Sequence, residues 1–297
     1  MRQDISFPSN GGTCRGWLYV PDGLRHGERV AAIVMAHGFS AVKEMFLSGF
    51  AERFVQAGFA VLVFDFRYTG ASDGEPRGHI FPREQHEDYR NAITYACRRT
   101  EIDPERIGLW GTSFSGGHVL HLSAFDRRIK AAVAQVPAVG IWKQLVRTSD
   151  SLDGILGLLT IDRLARYDSG VVNTLKVVAP PGEACVLATP DAYEWFSKAG
   201  EECASWRNQV TLESLERMIE YHPADAIELI SPRPLLVIAA EEDSLVSIDL
   251  VREEFARAGE PKKLIEFPCG HFDVYSTEPW FGRAADAATE WFTSHLS

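Results

Sequence analysis

Ser113 sits in a setting that could make its hydroxyl a nucleophile. The stretch Ile107-Gly108-Leu109-Trp110-Gly111-Thr112-Ser113-Phe114-Ser115-Gly116-Gly117-His118 reads as a short apolar strand, a sharp turn and the start of a helix. Gly111 before the serine, and Gly116 and Gly117 after it, allow a backbone too crowded for larger side chains. This is the build of a nucleophile elbow, which lifts a serine hydroxyl clear of a sheet edge. In the pattern Gly-x-Ser-x-Ser-Gly, Ser115 stands where a second glycine is usual, and it is small enough to keep helix and strand close.

A serine hydroxyl needs a base within hydrogen-bond reach. Imidazole suits the task, because its pKa of about 6.5 lets it take and return a proton near neutrality. A carboxylate then fixes the imidazole tautomer. Four stretches supply such groups in a telling order: His37-Gly38-Phe39, then Ser113, then Glu241-Glu242-Asp243, then Gly270-His271-Phe272. Each follows an apolar run. Asp243 is preferred over Glu242 as the acid, because Ser244-Leu245-Val246 suits a turn that points its carboxylate inward. Ser115 lacks a preceding glycine. His37 reads as shaping a loop rather than acting as base, and His118 and His121 read as structural or exposed. Backbone N–H groups of Phe39 and Phe114 are the expected oxyanion donors, in keeping with the usual position after the nucleophile.

The elements that must hold these groups follow from the apolar pattern. Val30 to Ala36, Phe59 to Phe66, Ile129 to Val136 and Pro234 to Ala240 are near-continuous apolar runs, as in strands buried on both faces. A hairpin turning at Asn10-Gly11-Gly12 precedes them, and Lys263 to Phe267 is the last strand. Between them lie helical patterns: the stripe Phe46, Phe50, Phe54 with Gly58 as its stop, then Tyr89 to Ala96, Ile248 to Ala258, and a closing helix with Ala284, Ala288 and Phe292. Asp103-Pro104-Glu105 is expected to turn the chain into the elbow strand. The alternation predicts an α/β fold with a mostly parallel sheet flanked by helices. It breaks between residues 137 and 232. That segment reads as a helical cap inserted into a core made of residues 1–136 and 233–297. Its Trp142, Trp195, Phe196 and Trp206 either line a pocket or pack the cap onto the body. The long loop after the second central strand makes Arg67, Tyr68 and His79 pocket candidates, with Arg67 equally suited to pinning that loop through a carboxylate.

The stretches His37-Gly38-Phe39-Ser40, Arg106 to Ser113 and Gly270-His271-Phe272-Asp273 are similar to those of serine esterases, and from Val30 onward the chain resembles an α/β-hydrolase with a helical cap. Gly111 to His118 and Gly270 to Tyr275 look most like the fungal polyketide transferases and their bacterial relatives. The resemblance implies a Ser113–Asp243–His271 triad. It also implies either hydrolysis of an ester or thioester through an acyl-serine, or transfer of the acyl group to an alcohol or amine. The reading from another class is an inactive ligand-binding protein on a hydrolase scaffold.

The net charge of −11 argues against nucleic acid or an anionic membrane as partner. The five cysteines are scattered, and no His/Cys/carboxylate spacing suggests a metal or a dinucleotide cofactor. With no apolar leader or spanning segment in view, a cytoplasmic enzyme with a small-molecule substrate and no cofactor is expected. Self-association is left open.

Overall fold

The computed structural model describes residues 2–25, 27–148 and 152–296. Strands β1 (Arg2–Ser9) and β2 (Gly12–Tyr19) form an antiparallel hairpin, Ser9 pairing with Gly12 across the two-residue turn Asn10-Gly11. Both turn residues have positive φ, 40° and 85°, the sense of twist that tight hairpins need. The chain then alternates: β3 (Val30–Ala36), α1 (Leu47–Gln56), β4 (Ala60–Phe64), α2 (Pro82–Cys97), β5 (Ile102–Thr112), α3 (Phe114–Phe125) and β6 (Ile129–Gln135). Next come α4 (Ile141–Thr148), α5 (Leu152–Ser169), β7 (Thr174–Leu175), α6 (Pro190–Glu202), β8 (Val210–Thr211), α7 (Leu212–Ile219) and a short 3-10 helix, Pro223–Ile230. Strand β9 (Leu235–Ala240), α8 (Ile248–Arg257), β10 (Lys262–Phe267), α9 (Asp273–Ser276) and α10 (Trp280–His295) complete the chain.

Eight strands form one sheet in the order β1-β2-β4-β3-β5-β6-β9-β10, parallel from β4 to β10. Successive side chains of a strand point to opposite faces, and both faces are covered. Ala32, Val34 and Ala36 of β3 pack with Tyr89 and Ala92 of α2 and Val119 of α3. Ile33 and Met35 pack on the other side with Phe50 and Phe54 of α1 and Phe292 of α10. That double burial is why the central strands are apolar throughout.

Two expectations are corrected. Strand β5 starts at Ile102, so Asp103-Pro104-Glu105 lies within it, and the pairing register shifts near Ile107. The segment between residues 137 and 232 is not purely helical. Thr174 and Leu175 pair antiparallel with Thr211 and Val210, and the 3-10 helix sends Ala224, Ile227 and Ile230 into the core beneath the sheet. Other parts of the segment pack at the carboxyl edge of the sheet. Val177, Ala192, Phe196 and Met218 meet Phe39, Val42 and Phe114 in a separate apolar cluster.

Candidate active site

Because β3, β5, β9 and β10 run parallel, the loops leaving their carboxyl ends gather on one rim. Ser113 occupies the turn between β5 and α3 with φ 56° and ψ −121°, a backbone conformation costly for a residue with a Cβ. Its surroundings hold it there. Ser113 N–H donates to the Gln135 carbonyl at 2.9 Å, while its own carbonyl accepts from Gly117 and Ala138 at 3.2 and 2.9 Å. A Cβ on Gly111 would lie 2.5 Å from the Ser115 carbonyl oxygen, and one on Gly117 would lie 2.5 Å from that of Ala138. The glycines are therefore a steric requirement. Ser115 is fully buried and its hydroxyl is bonded to the Tyr89 phenol at 2.6 Å, so the substitute for the second glycine is a packing residue.

The Ser113 hydroxyl is partly exposed and lies 3.1 Å from His271 Nε2. His271 Nδ1 lies 2.7 Å from Asp243 Oδ2. The other Asp243 oxygen accepts the Leu245 and Val246 N–H groups, both at 2.8 Å. The turn after Asp243 thus fixes its carboxylate, as the sequence suggested, and Glu242 takes no part in this chain of contacts. With both His271 and Asp243 side chains almost fully buried, their bond is shielded from competing water. The arrangement allows Ser113 O–H to donate to Nε2 while Nδ1–H donates to the carboxylate.

The loop after β3 approaches the elbow closely. A Cβ on Gly38 would fall 2.8 Å from Ser113 Cβ and 3.4 Å from the Phe114 nitrogen. Phe114 opens α3, where N–H groups have no intrahelical acceptor. Among the described residues, neither its N–H nor that of Phe39 enters a turn or ladder bond. His37 supports this loop. Its Nε2–H donates to the Met45 carbonyl and its Nδ1 accepts the Gly38 N–H, both at 2.8 Å. Complete burial lowers its pKa to about 4, which keeps it neutral. Further along, the buried Lys43 ammonium meets Asp65 at 2.7 Å, tying the loop to the end of β4.

A narrow cavity of about 110 Å³ opens over Ser113 and His271. Its walls are apolar. Phe39, Phe114 and Phe272 come from the rim, and Ile141, Phe196 and Met218 from the segment above it. Trp195 also lines it, so two of the four aromatics singled out in the sequence reach the cavity. The pocket candidates Arg67, Tyr68 and Trp142 do not. Arg67 is buried, with Nε 2.6 Å from Asp88 and Nη1 3.2 Å from Glu84 on α2, so it pins the loop. Tyr68 turns toward His79, and Trp142 is exposed beside His222. Val186 and Leu187 line the cavity from a coil segment, and nothing in their sequence setting marks them. His118 is buried rather than exposed: Nε2 lies 2.8 Å from Gln85 and Nδ1 2.8 Å from the Tyr221 hydroxyl. Burial lowers its pKa to about 3. With Tyr221 it forms the packing behind the Phe114 ring.

Comparison with known proteins shows the family and the fold. Residues 27–271 match the family described as "Serine aminopeptidase, S33". The quorum-quenching protein AidA of Acinetobacter baumannii is 32% identical over 278 residues, which cover 93% of this chain and 89% of AidA. The polyketide transferase ATR5 of Stachybotrys chlorohalonatus is 31% identical over 277 residues, 89% of this chain and 87% of its own. A thiohydrolase of Eupenicillium brefeldianum is 30% identical over 282 residues, 93% and 89%. The solved structure of DcsB with its substrate analogue superposes with a TM-score of 0.89 at 27% identity, covering 100% of this chain and 99% of that one.

Proposed function

Since the chain belongs to the α/β-hydrolase family described as serine aminopeptidase, S33, we propose that it cleaves a carboxylic ester or thioester through an acyl-Ser113 intermediate. The observation that carries this reading is the contact chain Ser113 Oγ, His271 Nε2, His271 Nδ1, Asp243 Oδ2, at 3.1 and 2.7 Å. His271 takes the Ser113 proton as Oγ attacks the acyl carbon. Phe114 and Phe39 N–H groups receive the oxyanion, a pairing in which one donor is typically worth a hundred- to a thousandfold in rate. His271 then protonates the leaving oxygen or sulfur. Water, deprotonated by the same imidazole, attacks the acyl carbon, and Ser113 departs with its proton restored.

An uncharged, apolar acyl group fits the cavity best. Among the described residues none that lines it carries a carboxylate, so an amino-terminal ammonium group would be desolvated there without a partner, which is costly. An ester or thioester is therefore favoured over the peptide amine named in the family description. The residues between 137 and 232, apart from the 3-10 helix, act in this reading as the cap that closes the acyl site. A second reading, acyl transfer to an alcohol or amine, is favoured by the apolar walls, which would hold water scarce, and by the likeness to ATR5. Product analysis with and without an added alcohol separates the two.

The test is hydrolysis of a short-chain aryl ester by Ser113→Ala. Loss of about 10⁴-fold or more in kcat is expected, with the fold intact. Turnover close to that of the parent would refute the assignment.

A further inference from the structure

The cavity over Ser113 has a second hydroxyl in its wall that the triad does not use. Tyr275 lies in α9, four residues after His271, and is 3% exposed. Its ring stacks on that of His37, with centroids 5.6 Å apart and planes 7° from parallel, and Trp195 packs 5.1 Å away. These contacts hold the ring in place. Its hydroxyl belongs to a hydrogen-bond chain that runs one way. Gln135 Nε2 can only donate, and it donates to Thr112 Oγ1 at 3.3 Å. Thr112 has one hydroxyl proton and gives it to the Tyr275 oxygen at 2.8 Å. Gln135 and Thr112 are completely buried, so both bonds are shielded from water. The Tyr275 oxygen is thus an acceptor from Thr112, and its own proton is left to serve another group. Among the described residues, Ser113 and Tyr275 carry the two side-chain hydroxyls that line the cavity. Burial pushes the phenol's pKa well above its usual value and Asp243 adds to that, while hydrogen bonding with Thr112 and Ser113 pulls the other way. The phenol therefore stays protonated, as a donor and not a base.

We propose that the Tyr275 hydroxyl donates to Ser113 Oγ and that its effect falls chiefly on deacylation, an inference that rests on the acyl-Ser113 reading above. In the acyl-enzyme, Oγ is the alkoxy oxygen of an ester and a poor acceptor. Water, deprotonated by His271, adds to the acyl carbon. The bond from that carbon to Oγ then breaks, its electron pair stays on Oγ, and the His271 imidazolium returns a proton to that oxygen. Negative charge grows on Oγ as the bond breaks, and the hydrogen bond from Tyr275 strengthens with it. The phenol keeps its own proton throughout. Only an interaction stronger in the transition state than in the state before it speeds a step. Before acylation, the free Ser113 hydroxyl is already a good acceptor, so the same donor gains much less there. The two half-reactions should therefore depend unequally on one hydroxyl.

The experiment is stopped-flow hydrolysis of a p-nitrophenyl ester by the full chain and by Tyr275→Phe, with acyl-Ser113 followed by quenching and intact-protein mass spectrometry. Phenylalanine keeps the ring that stacks on His37, so circular dichroism should match the parent. Acylation is expected to stay within about threefold of the parent, while deacylation slows by about ten- to a hundredfold, the scale of one hydrogen bond to a charged group. The variant should then show a burst of p-nitrophenol and accumulate acyl-Ser113. Equal slowing of both steps, slowing of neither, or a change confined to KM overturns the proposal. Fluorophosphonate labelling of the parent keeps the two readings apart. With the label on Ser113, any of those results removes Tyr275 alone. A parent that takes no label there and forms no acyl-Ser113 removes the acyl-enzyme reading and this proposal with it.

Discussion

The rim of the sheet and the segment that covers it are held in different ways. On the rim, each functional group is fixed by short-range contacts of high steric demand. Ser113 is locked by three backbone hydrogen bonds, Asp243 by the two N–H groups that follow it, and His37 by Met45 and Gly38. Above the rim, α6 and α7 are held mainly by apolar contact, and α5 leaves several large apolar side chains in solvent. The rim is thus held by directional hydrogen bonds and close steric fit, and the cover by non-directional apolar contact. Change at the rim should cost rate, and change in the cover should redirect preference.

The sharpest way to break this contrast is Gly38→Ala. The new Cβ would sit 2.8 Å from Ser113 Cβ and 2.9 Å from the Thr112 carbonyl oxygen, so the loop after β3, proposed above to hold the oxyanion, must retreat. A fall of about 10²- to 10³-fold in kcat/KM is expected, as for the loss of one oxyanion donor. A change within twofold would show that the rim tolerates movement after all.

Acid should strike the rim and its backing next. Burial depresses His37 to about 4 and His118 to about 3. In the unfolded chain both titrate near 6.5. As pH falls below that value the unfolded chain binds protons that the folded one does not, so these groups stabilise the fold fully above pH 6.5 and progressively lose that effect toward pH 4 and 3. Each contributes up to about 1.4 kcal/mol per pH unit across its window. Urea unfolding at pH 7, 6 and 5 should show stability falling steeply, and His118→Gln should flatten the slope. An unaltered slope in that variant would remove His118 from the account.

The smallest effect belongs to the cover. Leu187 lines the cavity from a partly buried coil position. Leu187→Ala should shift preference toward longer acyl chains by a few-fold, within about tenfold, which is the scale of pocket methylenes. Its turnover of a short ester should stay near that of the parent. Loss of that turnover instead would place Leu187 with the rim.

The same contrast explains what could be read in the sequence. Strand runs, the elbow glycines and the turn after Asp243 were legible because their constraints are local. Glycine at 111 and 117 is imposed by atoms a few residues or one strand away. Arg67 stayed open between pocket residue and loop pin because its direction is decided by Asp88 on another element, 21 residues on. Trp142 misled because helix α4 points Ile141 into the cavity and turns Trp142 outward. Val186 and Leu187 were unmarked because a coil has no periodicity to reveal which side chain faces a cavity. The pairing of β7 with β8 was hidden for a related reason. Two-residue strands separated by 34 residues carry too short a pattern to register.

The central claim is that Ser113, and no other group, carries the acyl chain. Intact-protein and peptide mass spectrometry after a brief reaction with a fluorophosphonate or a slowly deacylating aryl ester tests it most directly. The account predicts one adduct, on the peptide containing Ser113, absent from Ser113→Ala and strongly slowed in His271→Ala. An adduct that survives Ser113→Ala, whether on Ser115 or elsewhere, would contradict it.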